Sequence, residues 1–296
     1  MQEIVYNGWK CLRLANNEVE LVVTRDIGPR IMRFGFIGGP NLLGEIPADQ
    51  GGTGESEWKN RGGHRSWIAP ESMPWSYELD NVPYAEAAAI SGGIRTRQEP
   101  GPITGIAKEL EITLAPDSNA VRVLHRYTNR GNGPVDFAPW SVTVMGLNGQ
   151  AIIPLPAKIP HTERLTHNQN WSIWSYTDFA DPRWTIGSRY LFLRQDPTRG
   201  PTKLGIAHRE GWVAYQREGC LFVKYLSYAD GMNYPDGGVN FETFTNQEIL
   251  ELEVLGGMVT LLPDACVEHV EEWKLFRDVP ACQTEDDVDR FVRPLV

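Results

Sequence analysis

Apolar and polar residues alternate with a period of two along most of this chain, while helical periodicity is almost absent. Val19-Glu20-Leu21-Val22-Val23, Arg30 to Ile37, Glu109 to Leu114, Ala120 to Thr128, Asp136 to Met145, Leu221 to Tyr228 and Ile249 to Leu255 all read as strands. Such a pattern sends successive side chains to opposite faces, so it is satisfied by a sheet packed against a partner layer. Turn residues separate the runs, as in Gly131-Asn132-Gly133-Pro134 and Asp236-Gly237-Gly238. The 29 glycines and 21 prolines follow no repeat and form no low-complexity tract, so they mark turns. Only the end departs from this: Thr284 with Asp287 resembles a capping box that opens a short helix through about Arg293. No linker-like composition shift divides the chain. The expected fold class is all-β, a large antiparallel β-sandwich forming one domain over residues 1–296 with a short C-terminal helix.

Charge and motifs remove several function classes. With a formal net charge of -10 and no basic tract, nucleic acid and anionic membranes are poor partners. The chain starts Met1-Gln2-Glu3 without a basic and apolar leader, and no apolar run approaches the length of a membrane span, so a soluble cytoplasmic protein is expected. Cys11, Cys220, Cys266 and Cys282 have no C-x-x-C spacing, which predicts free, mostly buried thiols. The histidines show no H-x-H or H-E-x-x-H spacing, so no metal is expected. A nucleophile elbow and a phosphate loop are both missing, and Gly35 to Gly39 does not enter a helix, so no cofactor is expected. Nothing in the sequence indicates an oligomeric state.

The stretch Asn60-Arg61-Gly62-Gly63-His64-Arg65-Ser66-Trp67-Ile68-Ala69-Pro70-Glu71 concentrates two arginines, a histidine, a tryptophan and a carboxylate around a Gly-Gly turn. Arginine forks bind ring hydroxyls or phosphates, and a tryptophan face covers the apolar side of a sugar. As a loop, this segment would suit a small polyhydroxylated ligand. Two other cations fall on apolar strand faces: Arg30 in phase with Met32, Phe34 and Phe36, and Lys224 in phase with Phe222 and Leu226. A lone buried cation is costly, so each must reach solvent or a polar pocket with a partner. Glu251 and Glu253 alternate with Leu250, Leu252 and Val254, which reads as a solvated face. Trp67, Trp75, Trp140, Trp212 and Tyr234 offer stacking surface.

Three segments in order resemble the galactose mutarotase-like superfamily of aldose 1-epimerases. They are Gly28-Pro29-Arg30-Ile31-Met32-Arg33-Phe34 with Asn41-Leu42-Leu43; Arg61-Gly62-Gly63; and Asn240-Phe241-Glu242-Thr243, followed some two dozen residues on by Leu261-Leu262-Pro263-Asp264 and a last strand through Glu271-Glu272-Trp273-Lys274-Leu275. The resemblance runs over roughly residues 3–276, leaving 277–296 as a C-terminal extension. It implies an antiparallel β-supersandwich that binds a monosaccharide on a concave sheet, with Arg61 contacting substrate and Glu242 as the base. The family's acidic histidine has no counterpart: Thr128-Asn129-Arg130 and Ala138-Pro139-Trp140-Ser141 stand where it belongs.

An arginine, serine or tryptophan cannot serve as a general acid near neutrality. His64, with polar neighbours beside the Gly-Gly turn, is the better replacement, and His125, on an apolar face, is the weaker. Two functions are therefore carried forward. One is an aldose 1-epimerase with Glu242 as base, His64 as acid, and Arg30, Arg61, Arg65, Trp67, Trp140, Lys224 and Tyr234 holding the sugar. The other is a carbohydrate-binding protein of the same fold without turnover. The cations favour an acidic ligand such as a uronate or sugar phosphate in either case. Glycoside cleavage by Glu71, Asp236 and Glu242 is less supported, because nothing in the sequence sets their separation. Far-ultraviolet circular dichroism is expected to show helix below about a fifth of residues, against a usual third or so; a helix-rich spectrum would remove both functions at once.

Overall fold

The computed structural model describes residues 1–296. Two antiparallel sheets pack face to face. One runs from edge to edge through Gln2–Tyr6, Trp9–Ala15, Val19–Thr24, Ile31–Phe36, His64–Ala69, Val135–Met145, Leu250–Leu255, Phe241–Thr245, Thr202–Ile206 and Trp171–Ile173, with Val259–Leu261 paired to the start of Val135–Met145. The other runs Trp184–Ile186, Tyr190–Arg194, Gln150–Pro154, Trp212–Arg217, Cys220–Tyr225, Cys266–Phe276, Ala120–Asn129, Ile106–Leu114, Gly93–Arg97 and Glu86–Ile90. Leu21, Phe34, Leu204 and Leu252 of the first sheet meet Ile112, Val123, Phe222 and Trp273 of the second in the main core.

Both outer faces are also covered, which explains why so many central strand residues are buried on either side. On the second sheet the cover is the chain's end. Thr284 and Asp287 form the capping box read from the sequence, and the helix Glu285–Phe291 follows it. Val279, Val288 and Val292 then pack on Tyr190, Phe192, Trp212 and Val223. On the first sheet Trp58 and Tyr77 fold over Trp67 and Trp140. No helix is long and apolar enough to cross a membrane.

Two sequence expectations change here. The Asn60-to-Glu71 segment is not a loop: after the Gly-Gly turn, His64–Ala69 is an internal strand between Ile31–Phe36 and Val135–Met145. The turn itself is a packing device. Arg61, Gly62 and Gly63 have φ of 58°, 82° and 69°, and a Cβ on either glycine would collide with the Gly44 or Ile31 carbonyl. In Arg30 to Phe36, pairing with Val19–Thr24 shifts register between Val22 and Val23. Ile31 and Phe34 consequently enter the main core, while Met32 packs outside it with Trp9, Cys11 and Val22.

The core between the sheets contains a closed polar node. Lys224 is 0 % exposed and donates to Glu271 Oε1 at 3.0 Å, Thr143 Oγ1 at 2.6 Å and the Leu252 carbonyl at 3.3 Å. Glu271 also accepts from Ser141 Oγ and from Trp273 Nε1 at 3.1 Å. Burial alone would raise the Glu271 carboxyl, but Lys224 and the neighbouring histidines hold it well below the usual carboxylate range. Removing one partner of a buried pair leaves an uncompensated charge, so Glu271→Ala is expected to cost about 3–5 kcal/mol in urea denaturation. The double change Lys224→Met with Glu271→Leu should cost much less; equal losses in the two proteins would contradict this account.

Candidate functional site

A hollow of about 390 Å³ opens on the outer face of the first sheet, within the ~300–1,000 Å³ range of small-molecule pockets. Its wall is built by alternation. Cross-strand pairing puts Arg65 opposite Val142, Trp67 opposite Trp140, and Val142 opposite Glu253, all on one face. The next pair of strands adds Glu242 directly opposite Glu253 and Phe244 opposite Glu251. Trp58, Tyr77 and Tyr176 close the sides from connecting segments.

Two carboxylates facing each other across a ladder repel unless a cation lies between them. Here that cation is Lys203, whose Nζ is 2.7 Å from Glu242 Oε2 and 3.1 Å from Glu253 Oε2, with Glu71 at 4.0 Å. The ammonium also stands 5.0 Å from the Trp140 ring centroid and 4.8 Å from that of Trp174. Gly205, opposite Glu242, leaves the room needed, since a Cβ there would come within 3.3 Å of Trp174. Burial raises both Glu242 and Glu253 above the usual carboxylate range, each pushed further by a neighbouring carboxylate and only partly offset by Lys203. Burial would lower Lys203, but its carboxylates hold it well above the usual lysine value.

Several buried polar atoms have no protein partner: Glu253 Oε1, Trp140 Nε1, Trp58 Nε1, and Arg65 Nε and Nη1 on the wall, and Glu242 Oε1 behind it. Arg65 spends only Nη2, on Glu251 at 3.2 Å, and its guanidinium lies 4.5 Å over the Trp67 ring. Unpaired buried groups of this kind are rare in folded proteins, and a ligand rich in hydroxyls would satisfy donors and acceptors together. Asp236 sits close enough to influence Glu242 and is itself raised by burial.

The nine residues singled out from sequence therefore separate. Arg65, Trp67 and Trp140 line the hollow, and Glu242 lies directly behind Lys203. His64 and Lys224 do not: strand alternation sends His64 to the opposite side of the first sheet, into the core, and Lys224 reaches the same core from the second sheet. His64 Nδ1 meets Thr143 Oγ1 at 2.8 Å, its Nε2 meets His125 Nε2 at 3.2 Å, and burial depresses its basicity well below normal. Arg30 is spent on Asp80 at 2.9 Å and on the Lys59, Asn60 and Gly62 carbonyls. Arg61 is spent on Glu55, Asn81 and the Asp49 and Gly52 carbonyls. Tyr234 stacks on Tyr228 and accepts a bond from the Ala229 amide, lining a different hollow.

Conversely, Glu251 and Glu253 are not on a solvated face; they are 7 % and 1 % exposed and form the cavity wall. Lys203 and Trp174 were missed altogether, although Trp140, the other ring beside Lys203, was singled out. One signal was available, because the hairpin joining Thr245 to Leu250 fixes Glu242 opposite Glu253.

His64, His125 and Glu271 offer ligand atoms within 4.8 Å of one another. Lys224 already neutralises that carboxylate, so a dication there would add two uncompensated charges to the core. We read the cluster as hydrogen-bonded packing.

No family model matches the chain, and no curated protein resembles it in sequence. Solved structures do. A galactose mutarotase-like protein from Lactobacillus casei aligns with a TM-score of 0.59 at 11 % identity, over 90 % of this chain and 100 % of its own. One from Clostridium acetobutylicum gives 0.58 at 10 %, over 93 % and 98 %. A proposed aldose 1-epimerase from Escherichia coli K12 gives 0.54 at 13 %, over 91 % and 100 %. With its two antiparallel sheets and short C-terminal helix, the chain has the galactose mutarotase-like β-sandwich fold.

Proposed function

We propose that the chain binds an aldose in the hollow on its first sheet and interconverts its anomers by proton transfer, with Glu242 and Glu253 as the two proton carriers. The observation that carries this reading is the set of buried, partnerless acceptors and donors around one aromatic-walled space. Trp67 and Trp140 would cover the apolar side of the ring, and Arg65 Nε with Trp140 Nε1 would donate to its hydroxyls.

Anomer exchange needs one group to take the proton of the anomeric hydroxyl and another to protonate the ring oxygen, after which the opened aldehyde closes on its other face. A carboxyl pair that shares a proton supplies both roles, because the ionised member is the base and the protonated member the acid. Lys203 acts as the positioning residue, holding one oxygen of each and leaving the other oxygen free. His64 is replaced in this scheme by Glu253, since a core imidazole has no path to the sugar.

A second reading, binding without turnover, is favoured by Trp140, which occupies the place of the resembling family's acidic histidine and lines the hollow. Polarimetry on freshly dissolved anomers separates the two. Glu242→Gln or Glu253→Gln is expected to lower the rate about 100-fold or more while affinity stays within about tenfold. If the unmodified protein binds an aldose yet never exceeds the spontaneous rate, the binding reading replaces the catalytic one.

The pH profile provides an independent check. Both carboxyls are raised, so below both values the base is protonated and above both the acid is lost. A bell centred near neutrality is expected, rather than one centred near the ordinary carboxylate value of about 4. A rate that keeps climbing through alkaline pH would rule out this pair as the acid and base.

A further inference from the structure

We infer that the hollow selects a cationic sugar, an aldose carrying a free amino group, over neutral and acidic sugars. This rests on the sugar-binding reading and reverses the preference for an acidic ligand drawn from the sequence.

The reversal follows from where the cations are spent. Of the four cations expected to hold an anionic substituent, Arg30 and Arg61 are tied into backbone and carboxylate bonds away from the hollow, and Lys224 lies in the core. Only Arg65 remains, joined by Lys203. Lys203 is committed to Glu242 and Glu253, and it approaches Glu71 on its third side. Arg65 gives Nη2 to Glu251, and its two free groups, Nε and Nη1, do not share an edge of the guanidinium. They suit two separate hydroxyls and cannot form a parallel fork to one carboxylate or phosphate.

Against these two cations stand four carboxyl groups: Glu71, Glu251 and Glu253 on the wall, and Glu242 behind Lys203. Even with one proton shared between Glu242 and Glu253, the surroundings keep a net negative charge. A carboxylate ligand would enter against that charge and find no paired donors. An ammonium group would meet Glu253 Oε1, the buried acceptor of the wall that lacks any protein partner, and would make a charge-assisted hydrogen bond to it. The rings of Trp58, Trp67, Trp140, Tyr77 and Tyr176 keep water away and favour a cation over an anion.

The test is isothermal titration near neutral pH with glucosamine, galactosamine and mannosamine, their parent hexoses, the corresponding hexuronates, and the N-acetyl form of the tightest amine. At least one amine is expected to bind about tenfold or more tightly than its parent, N-acetylation is expected to erase that gain, and uronates should bind most weakly. A neutral hexose or uronate that binds as well as every amine overturns the charge inference while leaving sugar binding in place. If no sugar in the panel binds, both fall. Glu253→Gln, which leaves Lys203 paired with Glu242, should reduce the amine's advantage over its parent hexose about tenfold. Glu71→Gln, at the exposed rim, should act in the same direction but less and does not disturb the buried pair. An amine advantage unchanged in both variants would overturn the assignment to these carboxylates.

Discussion

The buried pair of Lys224 and Glu271 ties the two sheets together. Both residues project from neighbouring strands of the second sheet, yet apart from the Trp273 indole their remaining bonds go to Ser141, Thr143 and the Leu252 carbonyl of the first. Burying two charges costs several kcal/mol per ion before their attraction is counted, so the pair gives little net stability on its own. What it adds is a demand for alignment: the sheets can slide past each other only by breaking the bonds of the node that cross between them. His64, His125 and Ser66 extend the node along the same interface with bonds of 3.2 and 2.7 Å. Apolar packing alone would tolerate several alignments of two such sheets, whereas this network tolerates one.

A second lysine-carboxylate cluster lies on the other side of the first sheet. Lys203 with Glu242 and Glu253 has the same chemistry as the core node but leaves oxygens unpaired. In the core, Glu271 is held well below the ordinary carboxylate range by the Lys224 ammonium and the neighbouring histidines, whereas Glu242 and Glu253 are raised by burial that one lysine, shared between two acids, only partly offsets. A saturated node resists protonation and suits a structural role. An undersupplied one is poised to exchange protons and to accept a ligand.

The sequence conveyed the architecture more readily than the site. Strands such as Ala120–Asn129 and Val135–Met145, and the Thr284 capping box, depend on local alternation and local bonds, which a linear pattern records. The cavity depends on what covers the sheet. Leu250–Leu255 reads Leu-Glu-Leu-Glu-Val-Leu whether its outer face meets water or protein, and here Trp58, Tyr77 and Tyr176 arrive from far along the chain to make it protein. Lys203 gave no local signal either, because its meaning comes from lying one strand over from Glu242. Arg30 and Lys224 were legible in part: each was expected to need a partner if buried, and Asp80 and Glu271 are those partners. What the alternation could not supply was which side of the sheet carries the hollow, so core cations were grouped with cavity residues.

The strand His64–Ala69 carries both worlds at once. His64, Ser66 and Ile68 face the inter-sheet interior, while Arg65 and Trp67 face the hollow, and no residue in the strand is indifferent to its side. A slip of one position would exchange the two sets, leaving a guanidinium and an indole where the imidazole bonds belong and one imidazole and a hydroxyl where the sugar is expected to sit. The Gly62-Gly63 corner sets that phase, wedged against the Gly44 and Ile31 carbonyls with no room for a Cβ. Substitution at this corner is therefore closed to the chain as a route to new specificity. Diversification must come instead from the covering segments around Trp58, Tyr77 and Tyr176, which can change length without moving a single strand.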